Sequence, residues 1–244
     1  MTLSKQQISN AANYYEENGY VVLPALNGNQ IDFIKNFAKN WLYRVIAKGV
    51  EGGQNIEKLP LEKYHLWWQE QNVNHVSIFG ASNRYINPEG ELRDALLNKN
   101  IWAFLDCVSP DKLELWSDPG LGWMGFRFIR PGMSDGYPTS CKAWGAANQV
   151  ISCWVPIIGH SSNETIALVP GSHKKKYEHY LPTDQKFTSG EFRLKNTTKN
   201  IKYIRPDLKC GDVILFHPRT LHTEDVIKSD ITRLNLEYRF NPIS

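Results

Sequence analysis

Apolar residues recur at helical spacing through roughly the first 110 residues and then give way to short runs separated by turn residues. Ser4 precedes an amphipathic stretch that Gly19 ends, as a residue tolerant of positive φ does at a helix C-terminus. Tyr20 to Leu23 is a short β-rich run closed by Pro24. From Gln30 to about Ala47, Ile31, Ile34, Phe37, Ala38, Trp41, Leu42 and Val45 fall on one helical face, which predicts a second helix packed on a core. Leu92, Ala95, Leu96, Ile101, Phe104 and Leu105 predict a third, from Glu91 to about Cys107.

After Pro110 the pattern predicts strands over Leu113 to Trp116, Met124 to Ile129, Gln149 to Ile158, Thr165 to Val169, Ile201 to Ile204, Val213 to Phe216 and Thr232 to Phe240. Short strands following a helical segment imply a mainly β fold with flanking helices, an antiparallel sandwich or jelly roll. No repeat, low-complexity stretch or linker divides the chain. The expectation is one domain over 1–244, with a helical part of about 1–110 packed on a jelly-roll core of about 111–244.

Composition changes this picture little. Hydrophobic residues make up 41% and charged residues 22% of the 244, ordinary globular values, and the net charge of +3 gives no reason to expect nucleic acid. The basic run Lys174 to Lys176 reads as a solvated loop. No apolar leader opens the chain and no run of eighteen apolar residues follows, so the expectation is a cytoplasmic protein without membrane contact. Cys107, Cys141, Cys153 and Cys210 form no CxxC pair, which suits reduced thiols and argues against structural zinc.

Three stretches carry chemistry. Thr165-Ile-Ala-Leu-Val-Pro-Gly-Ser-His173 is a strand entering a Pro-Gly turn. Cys210-Gly-Asp-Val-Ile-Leu-Phe-His217 is a Gly-Asp turn feeding an apolar strand, with His222 close behind. Thr232-Arg-Leu-Asn-Leu-Glu-Tyr-Arg239 is a strand of alternating polarity. With the opening NGYVVLP and the phrase Cys153-Trp-Val-Pro-Ile157, the chain resembles the phytanoyl-CoA dioxygenase family of Fe(II)/2-oxoglutarate oxygenases, in order and over nearly its whole length.

That resemblance implies a double-stranded β-helix, a cupin-like jelly roll. It would hold iron through a His-x-Asp pair and a distal His, and bind 2-oxoglutarate through a later Arg. His222 matches the distal histidine, as metal ligand or catalytic group, and Arg233 matches the oxoacid arginine, whose planar fork suits a carboxylate. Asn235, two residues on, shares its strand face and could donate to the same carboxylate. The iron pair falls on Ser140-Cys141-Lys142, with Trp144 as the aromatic that follows. A serine is a poor Fe(II) ligand and an ammonium repels the metal. The alternative alignment uses Asp135, whose partner two residues back is Met133. The resemblance thus implies 2-oxoglutarate as a cofactor while the replaced pair argues against Fe(II).

Lys142 directed into the old metal pocket would hold an anion beside Arg233, or act as a base or Schiff-base nucleophile, and directed outward it would be solvated. Ser140 and Trp144 are candidate substrate contacts, the indole suiting a sugar or flat metabolite. Trp67, Trp68, Trp116 and Trp123 lie in the expected lid regions. His173 reads as a turn cap, His217 as a group behind the site, and His65, His75, His160 and His179 as ordinary loop or helix residues. Arg233 could instead pair with Glu237 on its own strand. Three functions stay open. One is a metal-independent enzyme or binder of an anionic or sugar-derived small molecule. The others are an active hydroxylase using Asp135 with His222, and a non-catalytic pseudoenzyme.

Overall fold

The structure, a computed structural model, describes residues 2–49, 59–71, 85–116, 122–132, 151–161, 164–177, 179–180, 193–194, 201–224 and 228–243. Helix α1 spans Lys5–Asn18. Ser4 and Gln7 close a reciprocal capping box at its start, and Gly19 ends it in the left-handed region at φ 78°. A Cβ at Gly19 would collide with His173 Nδ1 and Thr220 Oγ1, so only glycine lets the helix end seat against those two turns. Strand β1 (Tyr20–Pro24) and helix α2 (Gly28–Gly49) follow.

A 3-10 turn at Leu61–Lys63 leads into α3 (Tyr64–Gln71), and β2 is Tyr85–Ile86. The third expected helix is two, α4 (Glu91–Leu96) and α5 (Lys99–Val108). Asn98 divides them: its side chain accepts hydrogen bonds from the Asn100 and Ile101 amides and starts a new helix without interrupting the apolar spacing.

The strands are β3 (Leu113–Leu115), β4 (Met124–Ile129), β5 (Ile151–Ile158), β6 (Ile166–Leu168), β7 (His179–Tyr180), β8 (Arg193–Leu194), β9 (Asp212–Phe216), β10 (His222–Glu224) and β11 (Arg233–Pro242). The strand expected at Ile201 to Ile204 reduces to a single bridge from Ile204 to Leu168. The large sheet runs β1-β9-β5-β11-β4-β2, with β3 also on β11, and every pairing is antiparallel. Strands β10 and β6 form a small sheet, β7 and β8 another.

Alternation sorts the large sheet into two faces. Val21, Leu23, Val213, Leu215, Cys153, Val155, Leu234, Leu236, Tyr238, Phe126 and Phe128 join one buried cluster with helix residues such as Ile34, Leu42, Leu92 and Phe104. Each such side chain contributes about 1.5–3 kcal/mol of burial. Tyr20, Trp154, Ile214 and Phe216 point the other way and pack with Ile166 and Leu168 of the small sheet. This is the jelly-roll interior. Toward β11 and β4 the same interior face turns polar.

Candidate functional site

With Leu234 and Leu236 facing the helices, β11 must turn Arg233, Asn235 and Glu237 inward. Arg233 and Asn235 are both 0% exposed. Across the ladder on β4, Ile129 lies opposite Arg233 and Arg127 opposite Asn235. Arg127 Nε sits 3.0 Å from Glu237 Oε1, and Asn235 Nδ2 donates to the same oxygen at 3.3 Å. Glu237 therefore serves Arg127 and Asn235. Asn235 Oδ1 is buried without a hydrogen-bond partner.

Arg233 Nη1 donates to the Glu164 carbonyl at 2.9 Å. The Glu164 carboxylate accepts from the Lys228 and Ser229 amides at 2.7 and 2.8 Å, fastening the approach to β11. Burial opposes its charge, but those hydrogen bonds prevail and hold its pKa below the usual carboxylate value. From the other side, the His65 amide and Nδ1 both meet Thr232 Oγ1, at 3.2 and 3.0 Å, and the Thr232 amide donates to the Glu62 carbonyl. Gly159, at φ 71°, lets β5 pass so close that a Cβ there would lie 2.8 Å from the Thr232 carbonyl oxygen.

His160 donates from Nε2 to the Leu234 carbonyl at 2.9 Å, where the β11–β5 register shifts, and its ring stands edge-on to Trp154. Burial, then the Arg233 charge, push its pKa down to about 3, so the ring is neutral at ordinary pH. His160, Glu164, His65 and Arg127 are the residues of this site that the sequence reading missed. Arg127 had a signal: it is the polar residue in the otherwise apolar strand MGFRFI. The other three act through backbone carbonyls and a hydroxyl, for which spacing carries no mark.

His222 lies on β10 opposite Leu168. Its Nδ1 meets the Thr220 carbonyl at 2.8 Å, which only an N–H can do, so the neutral ring keeps its lone pair on Nε2. The ring centroid is 4.9 Å from that of Phe216. The strand is tied to the Thr165–His173 motif through the Leu221 amide on Ser172 Oγ and the Val169 amide on the Leu221 carbonyl. His173 caps α1 through Nε2 on the Glu16 carbonyl, and His217 Nδ1 accepts from the Arg219 amide. Burial and the adjacent His173 push the His217 pKa down to about 4. Trp67 and Trp123 belong to the core rather than to a lid.

Ser140, Lys142, Trp144 and Asp135 lie outside the described residues. Among the described residues no three His, Cys, Asp or Glu side chains come together as a metal site. Of the residues expected at a metal site, the described ones include His222, whose neutral ring carries a ligand nitrogen. For 2-oxoglutarate the fit divides: Arg233 suits a carboxylate, whereas the amide donor of Asn235 is already engaged by Glu237. No helix among the described residues is long and apolar enough to cross a membrane.

Residues 137–234 match the family model described as phytanoyl-CoA dioxygenase. No curated protein matches the sequence. Among solved structures, the chain is similar to the epimerase SnoN in complex with Fe3+, alpha ketoglutarate and nogalamycin RO. Identity is 16%, coverage is 98% of this chain and 85% of that one, and the TM-score is 0.59. The non-heme monooxygenase ThoJ in its apo form is 16% identical over 95% of this chain and 77% of its own, with a TM-score of 0.62. AviO1 from Streptomyces viridochromogenes Tue57 is 12% identical over 100% and 97%, with a TM-score of 0.59. The shared fold is the cupin-like jelly roll of 2-oxoglutarate oxygenases. The fold and the match over residues 137–234 make the chain similar to the phytanoyl-CoA dioxygenase family.

Proposed function

We propose that this chain is a divergent member of the phytanoyl-CoA dioxygenase family with a degenerate iron site and works without a metal, as an enzyme acting on, or a binder of, an anionic small molecule such as a sugar acid, nucleotide sugar or oxoacid. The observation that carries the reading is the complete burial of the Arg233 guanidinium on the interior face of the sheet. The planar fork of arginine matches a carboxylate, and the fold sets this one on the interior face of the sheet. Ser140 and Lys142, at the positions of the iron pair, support the loss of metal. Lys142 would add a second cation where the metal stood, with Ser140 and Trp144 as substrate contacts. SnoN, by its description, binds alpha ketoglutarate and nogalamycin RO, which supports a small-molecule ligand in this fold.

The test is iron binding and succinate formation from 2-oxoglutarate in air, with and without added Fe(II). Wild type is expected to hold no stoichiometric iron and to release no iron-dependent succinate. The double variant Ser140→His, Lys142→Asp is expected to gain iron by completing the donor set with His222. One observation favours a second reading: His222 keeps its Nε2 lone pair, the form that ligates metal. Stoichiometric iron on the wild type, lost in Asp135→Asn, would establish that hydroxylase reading and sink the first.

A further inference from the structure

Asn235 is wholly buried, and its two polar atoms meet different fates. Nδ2 donates to Glu237 Oε1, while Oδ1 has no hydrogen-bond partner. A buried carbonyl oxygen left this way is costly, and native interiors rarely leave one without a ligand or water to answer it. Its orientation is not free. Reversing the amide would aim its oxygen at the Glu237 carboxylate, which Arg127 anchors at 3.0 Å, and two acceptors would face each other. Glu237 thereby decides which end of Asn235 remains for a third group.

The chemical consequence concerns the ligand. An amide nitrogen would welcome a bare carboxylate, whereas an amide oxygen can only accept. A molecule held by Arg233 through its carboxylate and reaching Asn235 must bring its own O–H or N–H. Oxoacids present only acceptors beside their carboxylates, while hydroxy acids, sugar acids and amino acids present a donor there.

Resting on the reading that Arg233 holds an anion, we propose that Glu237 is a specificity-determining residue. It presents the Asn235 carbonyl, so that the site selects a carboxylate with a neighbouring hydroxyl or ammonium over an acceptor-only oxoacid. Arg127 is the positioning residue that keeps Glu237 in place.

The experiment is calorimetric titration of the full chain with two matched pairs, lactate against pyruvate and 2-hydroxyglutarate against 2-oxoglutarate. In wild type the hydroxy acid of each binding pair is expected to bind about ten-fold tighter, the scale of leaving a buried acceptor unanswered. In Glu237→Gln, whose own amide can offer either end to Asn235, that ratio is expected to collapse to about two-fold or less. Asn235→Ser, whose hydroxyl both donates and accepts, is expected to give the same collapse and covers the case in which Glu237→Gln does not fold. Equal or tighter oxoacid binding by wild type, or an unchanged ratio in either variant, overturns the proposal and leaves the Arg233 reading standing. Failure of all four acids to bind, or binding that Arg233→Met does not weaken, overturns that reading and the proposal with it.

Discussion

The two faces of the large sheet are made from alternate residues of the same strands, and they are governed by different terms. On the helix side, β11 presents Leu234, Leu236, Tyr238 and Phe240, all at most 1% exposed. The one hydroxyl among them is satisfied, since Tyr238 donates to the Leu96 carbonyl at 2.9 Å. On the interior side the same strand presents Arg233, Asn235 and Glu237, with Arg127 across the ladder. Apolar burial stabilises the fold, whereas ionic burial at best breaks even against its desolvation cost. The helix face accounts for why the sheet exists, and the interior face is the one whose chemistry needs a reason beyond stability.

Substitutions on the two faces should therefore separate stability from binding. Leu236→Ala, at a wholly buried position under the helices, is expected to cost about 2–5 kcal/mol in a urea unfolding titration. Carboxylate affinity of the molecules that remain folded should not change, and a ten-fold loss there would break the contrast between faces. Arg233→Met reverses the pattern. Carboxylate affinity should fall about ten- to a hundred-fold, equivalent to about 1.4–2.7 kcal/mol, with a smaller change in unfolding free energy than Leu236→Ala because an apolar chain replaces a buried cation.

Protonation sharpens the contrast without altering shape. His160 has a pKa of about 3 in the fold against an ordinary value of 6.5, so the unfolded chain takes up its proton first. Stability is full above about pH 6.5 and falls by on the order of 1.4 kcal/mol per pH unit as pH drops from there toward 3. His217, lowered to about 4, acts in the same direction over the upper part of that window. In His160→Gln the difference in urea midpoint between about pH 7 and about pH 4 should shrink. An unchanged difference would mean that His160 is not held neutral beside Arg233.

The face that packs was far more legible in the sequence than the polar interior face. Period-2 alternation in Thr232 to Phe240 and helical spacing from Ile31 to Val45 located the core, because each apolar residue reports its own burial. Arg233 and Asn235 share one face of their strand, as their spacing required. The Arg127–Glu237 pair was not legible, since strand pairing brings together residues more than a hundred positions apart. The sequence allowed Glu237 to be the partner of Arg233, but register put Arg127 opposite Asn235 and gave Glu237 to those two. His160 and Glu164 were passed over for a different reason. One donates to a backbone carbonyl and the other binds backbone amides, and such partners are shared by every residue type.

The smallest expected effect tests the helix layer where its apolar pattern misled. Leu92 to Leu105 keeps helical spacing throughout, yet the helix ends at Leu96 and restarts at Lys99. Asn98 makes the restart possible and also donates from Nδ2 to the Ala25 carbonyl, tying the helix pair to the chain just beyond β1. Asn98→Ala leaves the first-turn amides of α5 without their acceptor and should cost about 1 kcal/mol, read as a lower urea midpoint with unchanged slope. Asn98→Asp keeps the acceptor and loses only the Nδ2 bonds to the Ala25 and Ala95 carbonyls, so it should recover most of that loss. If the aspartate recovered nothing, Asn98 would matter as a tether between layers rather than as a cap. Polar groups on the helix side would then resemble those of the interior in being placed for a distant partner.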